Sequence, residues 1–194
     1  MKKLNKFIPL ILLVSLALTG LSCEKERSKK REKEEYLTYK NEKWGFEIDY
    51  PEDWEKKILG EEAGGITVGF RIPAKDKESE EDFRENVVVL VGKPIPDKDF
   101  DELMEESLQD LPKMSGMALI EHSKVEVSGY PSYEIIYTEL VETETYKYLH
   151  YFINAGNVWC QILYTAKHET YSDYLKEAQK MIRSFEINPF GQED

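Results

Sequence analysis

An α+β fold, a sandwich around a mainly antiparallel sheet, follows from three features of this 194-residue sequence. Short alternating apolar runs bounded by Gly, Pro and Asn recur along most of it. Two segments instead space their apolar residues at helical intervals, one mid-chain and one near the end. The late extended runs are joined by short polar turns, which suit antiparallel neighbours.

Taken in order, Phe46, Ile48 and Tyr50 alternate with Glu47 and Asp49, the period of a strand with one buried face. Pro51 ends it, having no N–H for a ladder. After a turn at Gly64-Gly65, the residues Ile66, Val68, Phe70 and Ile72 repeat the alternation up to Pro73. Val87 to Val91 form a short apolar run, so three early strands are expected. Phe100, Leu103, Met104, Leu108 and Leu111 then fall on one face of a helix whose first turn is acidic. Asp97, Asp99 and Asp101 have the spacing that opens a calcium loop. Its sixth position would be Glu102 where glycine is required, and its twelfth Leu108 where glutamate is required. They are assigned to capping and the helix dipole.

A strand over Ser123 to Ser128, a Gly129-Tyr130-Pro131 connection and the runs "SYEIIYTE", "YKYLHYFI" and "NVWCQILYTA" follow. Tyr148, His150 and Phe152 on one face against Leu149, Tyr151 and Ile153 on the other predict cover on both sides of the sheet. Part of that cover is a second helix with the stripe Tyr171, Tyr174, Leu175, Ala178, Met181, Ile182 and Phe185, its start boxed by Thr170 and Asp173. A short extended piece, "SFEINPF", closes the domain.

The N-terminus carries an address. Lys2, Lys3 and Lys6 precede an apolar stretch from Phe7 to Leu18, shorter than the roughly 20 residues of a spanning helix, so residues 1–22 read as an export signal. The exit "LTGLSC" resembles a bacterial lipoprotein signal, with Ser22 at the small position, Gly20 where that pattern has leucine, and Cys23 as the lipidated new N-terminus. The alternative is a secreted protein cut by the ordinary peptidase, with Cys23 incidental. Residues 23–35 continue as a charged, solvated tether without apolar side chains after Cys23. The domain is placed at 36–188 and a tail at 189–194. With signal and tether removed from 26 basic and 38 acidic residues, 17 basic face 33 acidic. Such a surface repels phosphates, so no nucleic-acid partner is expected.

No catalytic, cofactor or metal site is expected. No Gly-x-Ser-x-Gly occurs, and Gly64-Gly65 precedes a strand where nucleotide loops precede a helix. His122, His150 and His168 are far apart, and a strand histidine such as His150 is more often packed than ligating. Cys160, beside Trp159 on a strand, reads as a small buried hydrophobe. The unusual enrichment is tyrosine: nine of twelve lie between Tyr130 and Tyr174, which suits a core or an interface. A binding surface, if these aromatic groups form one, is placed on Trp44, Tyr130, Tyr146 and His150. Trp54, following the Tyr50-Pro51 turn, is expected to plug the end of the sheet, while Trp44 stays open between core and surface.

Gly45, Phe46, Tyr50, Pro51 and Trp54, then Gly129, Pro131 and Tyr133, then Ser184 and Phe185 form an ordered set that resembles the PsbP-like family over about residues 39–188. That family is named for an extrinsic subunit of photosystem II and includes bacterial lipoproteins and a relative that binds a small GTPase. The resemblance implies an α-β-α sandwich that binds or assists other proteins, and no enzyme. The resulting expectation is a lipid-anchored protein on the extracytoplasmic face of the cell envelope, acting on an envelope protein or complex. The alternative is a binding protein for a sugar or lipid, which would require a concave aromatic pocket of about 300 Å³ or more.

Overall fold

The computed structural model describes residues 35–60, 65–74, 83–95 and 98–189. The signal segment, Cys23, nearly all of the tether, Gly64, Asp97 and most of the tail lie outside the described residues. The chain runs β1 (Tyr36–Asn41), β2 (Phe46–Pro51), β3 (Glu55–Gly60), β4 (Gly65–Arg71), β5 (Asn86–Gly92), α1 (Phe100–Asp110), a 3-10 turn (Leu111–Lys113) and β6 (Met117–Val127). It continues through β7 (Tyr130–Val141), β8 (Glu144–Asn154), β9 (Trp159–Lys167), α2 (Tyr171–Ser184) and β10 (Glu186–Ile187). Five strands therefore precede the first helix rather than three. β1 and β3 are the additions: β1 turns Leu37, Tyr39 and Asn41 inward over only six residues, and β3 is mostly polar because it is an edge.

Seven strands form an all-antiparallel sheet in the order β3-β4-β5-β9-β8-β7-β6, and a smaller sheet has the order β1-β2-β10. The period of two sorts the large sheet's side chains into two cores. On one face Val68, Phe70, Val87, Val89, Leu149, Ile153, Ile162 and Tyr164 pack beneath α2 and the small sheet, meeting Phe46, Ile48, Ala178, Met181 and Phe185. On the other, Tyr133, Ile135, Tyr137, Tyr148, Phe152 and Leu163 pack beneath Phe100, Met104, Leu108 and Leu111 of α1 and its 3-10 turn. The result is the expected α-β-α sandwich, with the alternating faces of β8 feeding both cores.

Local chemistry explains several boundaries. Asp99 caps α1, its Oδ1 accepting from the Glu102 N–H at 3.0 Å. Asp101 instead accepts at one oxygen from the Tyr133 hydroxyl at 2.7 Å and the Lys124 ammonium at 3.1 Å, binding α1 to β6 and β7. Ser128 and Gly129, both at positive φ, make the two-residue β6–β7 hairpin, so Tyr130 and Pro131 belong to the ladder of β7 rather than to the connection. Thr170 does not box α2: its hydroxyl points to the Glu85 carboxylate and the Lys167 carbonyl, and only a backbone bond from Asp173 to the Thr170 carbonyl closes that turn. Ser184 Oγ accepts from the Asp49 N–H at 2.9 Å, holding the end of α2 along β2 just where β10 begins to pair with it.

Candidate interaction surface

Of the four residues placed on a binding surface from sequence, two are interior. His150 is 3% exposed; its Nε2 donates to Gln161 Oε1 at 3.0 Å, and its ring lies 4.0 Å from that of Phe152. Burial holds its pKa down to about 3, so the imidazole is neutral. Tyr146 is buried with its ring edge-on to Phe83 at 4.7 Å. Both sit on the face covered by α1, which is why neither reaches the surface.

Tyr130 and Trp44 are half-buried against the larger core. Trp44 follows β1; its backbone N–H donates to Asn41 Oδ1 at 3.1 Å, and its indole N–H is buried with no partner. The four do not converge. Tyr146 pairs with Glu139, nine residues along β7 from Tyr130, a separation of about 30 Å at strand rise.

The tyrosine enrichment is structural in the main. Tyr133, Tyr137, Tyr146, Tyr148, Tyr164 and Tyr171 are all buried. Their hydroxyls rivet elements together: Tyr148 donates to Glu139 at 2.8 Å and Tyr164 to the Tyr171 carbonyl at 2.9 Å. Half-buried Tyr151 donates to Glu134. Burial raises the pKa of each of these phenols, first among its causes, so none is poised for proton transfer near neutrality. A small crevice with a cavity volume of about 10 Å³, room for a single water, lies between the end of α1 and the sheet, lined by Ser107, Leu111, Ile135, Tyr137, His150 and Phe152.

The remaining candidates for chemistry are dispersed. His122 and His150 both lie opposite Ile135, but His122 is exposed while His150 is buried with its Nε2 engaged by Gln161, and His168 is exposed beyond the end of β9. No group of three or more metal-binding side chains occurs among the described residues. The Cys160 thiol is 1% exposed and pushed up to about 12 by burial, a packed rather than a reactive sulfur.

Among the described residues, the exposed large apolar side chains lie at two edges. Leu37 is 43% exposed, Ile58 53%, Ile120 52% and Leu140 53%. Ile120 occupies the bulge of β6 between Leu119 and Glu121, and Leu140 is held near the end of β7 by its N–H to the Gly116 carbonyl at 2.8 Å. Val125 and Ile136 beside them are only half-buried. β6 borders the large sheet, so one side of its backbone has no strand neighbour among the described residues. β3, the opposite border, is six strand spacings or roughly 29 Å away. Sequence inspection missed Ile120 and Leu140 because both lie outside the runs that read as strands: β6 begins at Met117 rather than Ser123, and β7 extends past Glu139 to Val141.

These features can be set beside known proteins. The model of the family described as PsbP-like protein matches residues 21–187. No curated protein matches the chain in sequence. Among solved structures, the cyanobacterial PsbP of Synechocystis sp. PCC 6803 is similar at a TM-score of 0.60 and 16% identity, over 84% of this chain and 98% of that one. LpqN, involved in cell envelope biogenesis of Mycobacterium tuberculosis, is similar at 0.59 and 12% identity, over 80% and 91%. The Ran-binding protein Mog1p of Saccharomyces cerevisiae is similar at 0.53 and 11% identity, over 80% and 96%. At such identities the structures share the fold. The family model covers most of the sequence, and the chain belongs to the PsbP-like protein family.

Proposed function

We propose that the chain is an extracytoplasmic lipoprotein, anchored through lipid on Cys23, whose domain binds an envelope protein or complex as a non-catalytic assembly factor. The observation that carries this reading is the open border strand β6, flanked by exposed Ile120 and Leu140. An extended segment or apolar ridge of another protein can bury these side chains and satisfy the free backbone edge together. Two fold relatives described as acting in envelope biogenesis and in Ran binding support a binding role. Burial of Tyr146, Tyr148 and His150 weighs against the sugar or lipid alternative, as does a recess smaller than such a ligand fills.

Affinity capture from detergent-solubilised membranes tests this with the full chain and an Ile120→Glu/Leu140→Glu variant. A specific partner should be recovered with the first and lost with the second at unchanged melting temperature. Equal recovery by both would move the binding site elsewhere. Reproducible binding of a sugar or lipid without a protein partner would favour the alternative.

A further inference from the structure

The second exposed pair, Leu37 and Ile58, marks the other border of the molecule. Leu37 and Tyr39 lie on the inward face of β1, and Lys56 and Ile58 on the corresponding face of β3. The Lys56 ammonium ties the two edges together, 5.2 Å from the Tyr39 ring and 5.8 Å from that of Tyr50. The sandwich therefore opens on this side between two strand edges, with one exposed aliphatic on each lip and a lysine between them.

The tether arrives at this same corner. β1 begins at Tyr36, and the Glu35 carbonyl accepts from the Glu52 N–H at 3.0 Å, fixing the point of entry beside the β2–β3 turn. Twelve residues separate Cys23 from Tyr36. Such a chain has a mean reach of about 20 Å as a flexible coil and at most about 40 Å extended. Tethering at that range gives a weak surface contact a millimolar effective concentration, so two aliphatics that would not hold a free protein to a bilayer can orient an anchored one.

The charges around the corner permit it. The turn and entry carry Glu35, Glu52 and Asp53, and β3 carries Lys56 and Lys57; Lys180 of α2 lies 3.4 Å from the Tyr36 ring centroid, while Glu55 is taken by Arg71 at 3.0 Å and Arg84 at 2.9 Å. The corner is near balance on a domain where acidic side chains otherwise outnumber basic ones. Lysine stems can lie along the headgroups with the ammonium in water.

We infer that the β1–β3 corner rests on the bilayer, Leu37 and Ile58 dipping among the headgroups, so that β6 is held facing away from the membrane. This rests on the lipid anchor proposed above. The test uses the full lipidated chain on phosphatidylcholine vesicles containing a headgroup-nitroxide lipid. A fluorophore is attached at Lys57→Cys or at Glu121→Cys; Cys160 is buried and Cys23 blocked. Quenching at 57 should exceed that at 121 severalfold, and Leu37→Ser/Ile58→Ser should abolish the difference. Equal quenching at the two sites overturns the orientation. So does a difference that survives the double-serine substitution, because tether length alone would then explain it. A chain that does not float with the vesicles overturns the anchor and the orientation together, whereas one that floats without discriminating the sites overturns the orientation alone.

Discussion

Trp54 meets Tyr174 of α2 edge-on, with ring centroids 6.2 Å apart and planes at 75°. With 5% of its surface exposed, the indole is a peg where the β2–β3 turn passes under the helix. Trp54→Ala should leave a cavity and cost about 3 to 5 kcal/mol, lowering the melting midpoint by roughly 10 °C in thermal unfolding of the purified protein. Trp44, half-buried and with its indole N–H unpartnered, should give a clearly smaller drop as Trp44→Ala. An unchanged midpoint for Trp54→Ala would refute the peg.

A second measurement concerns the corner that presents Leu140. Gly116 has φ +82°, and a Cβ there would lie 2.9 Å from the Leu140 carbonyl oxygen, a backbone atom that cannot swing aside. Gly129 has nearly the same φ, +79°, with nothing within 4 Å of the added carbon. Gly129→Ala should therefore report the left-handed backbone cost alone, about 1 kcal/mol. Gly116→Ala should cost on the order of 1 to 2 kcal/mol more, and denaturant unfolding of the two variants measures the difference. Equal losses would mean that the β6 entry shifts freely, leaving Leu140 without a fixed position.

The anchor makes its own prediction. The native protein should begin at Cys23 with acyl mass on its N-terminus, and partition into detergent. Mass spectrometry of the intact chain decides this. An unmodified start at another residue would sink the anchor and leave export standing.

How much of this was legible beforehand differs between the fold and the surface. Strands with wide alternation, such as Phe46 to Tyr50 and Val68 to Ile72, and helices with continuous stripes announce themselves because burial repeats along them. β1 and β3 do not, since an edge strand buries few residues; in β3 the inward position before Ile58 is Lys56, whose stem covers aromatic rings while its charge stays wet. His150 shows the limit at the candidate site. A lone polar residue in an aromatic strand can be interior or exposed, and α1, over 40 residues away in sequence, decides which. Exposure of Ile120 depends on a bulge, a register feature that no single strand encodes.

That buried histidine gives a pH dependence whose sign is fixed by its environment. His150 is neutral in the fold, its pKa held down to about 3 by burial against the ordinary 6.5, the Gln161 bond opposing the shift only in part. Between those values the unfolded chain binds a proton that the folded chain does not, so this group's contribution is fully present above about pH 6.5 and is lost as the pH falls toward 3. The loss approaches about 1.4 kcal/mol per pH unit within that window. His150→Gln keeps a neutral hydrogen-bonding side chain beside Gln161 and removes the titration. Denaturant unfolding from pH 7 to 4.5 should show the wild type losing stability relative to the variant by that slope. Carboxylates elsewhere titrate in both proteins and cancel in the comparison. Parallel curves would show that His150 takes up its proton inside the fold, and that the layer beneath α1 is open to water.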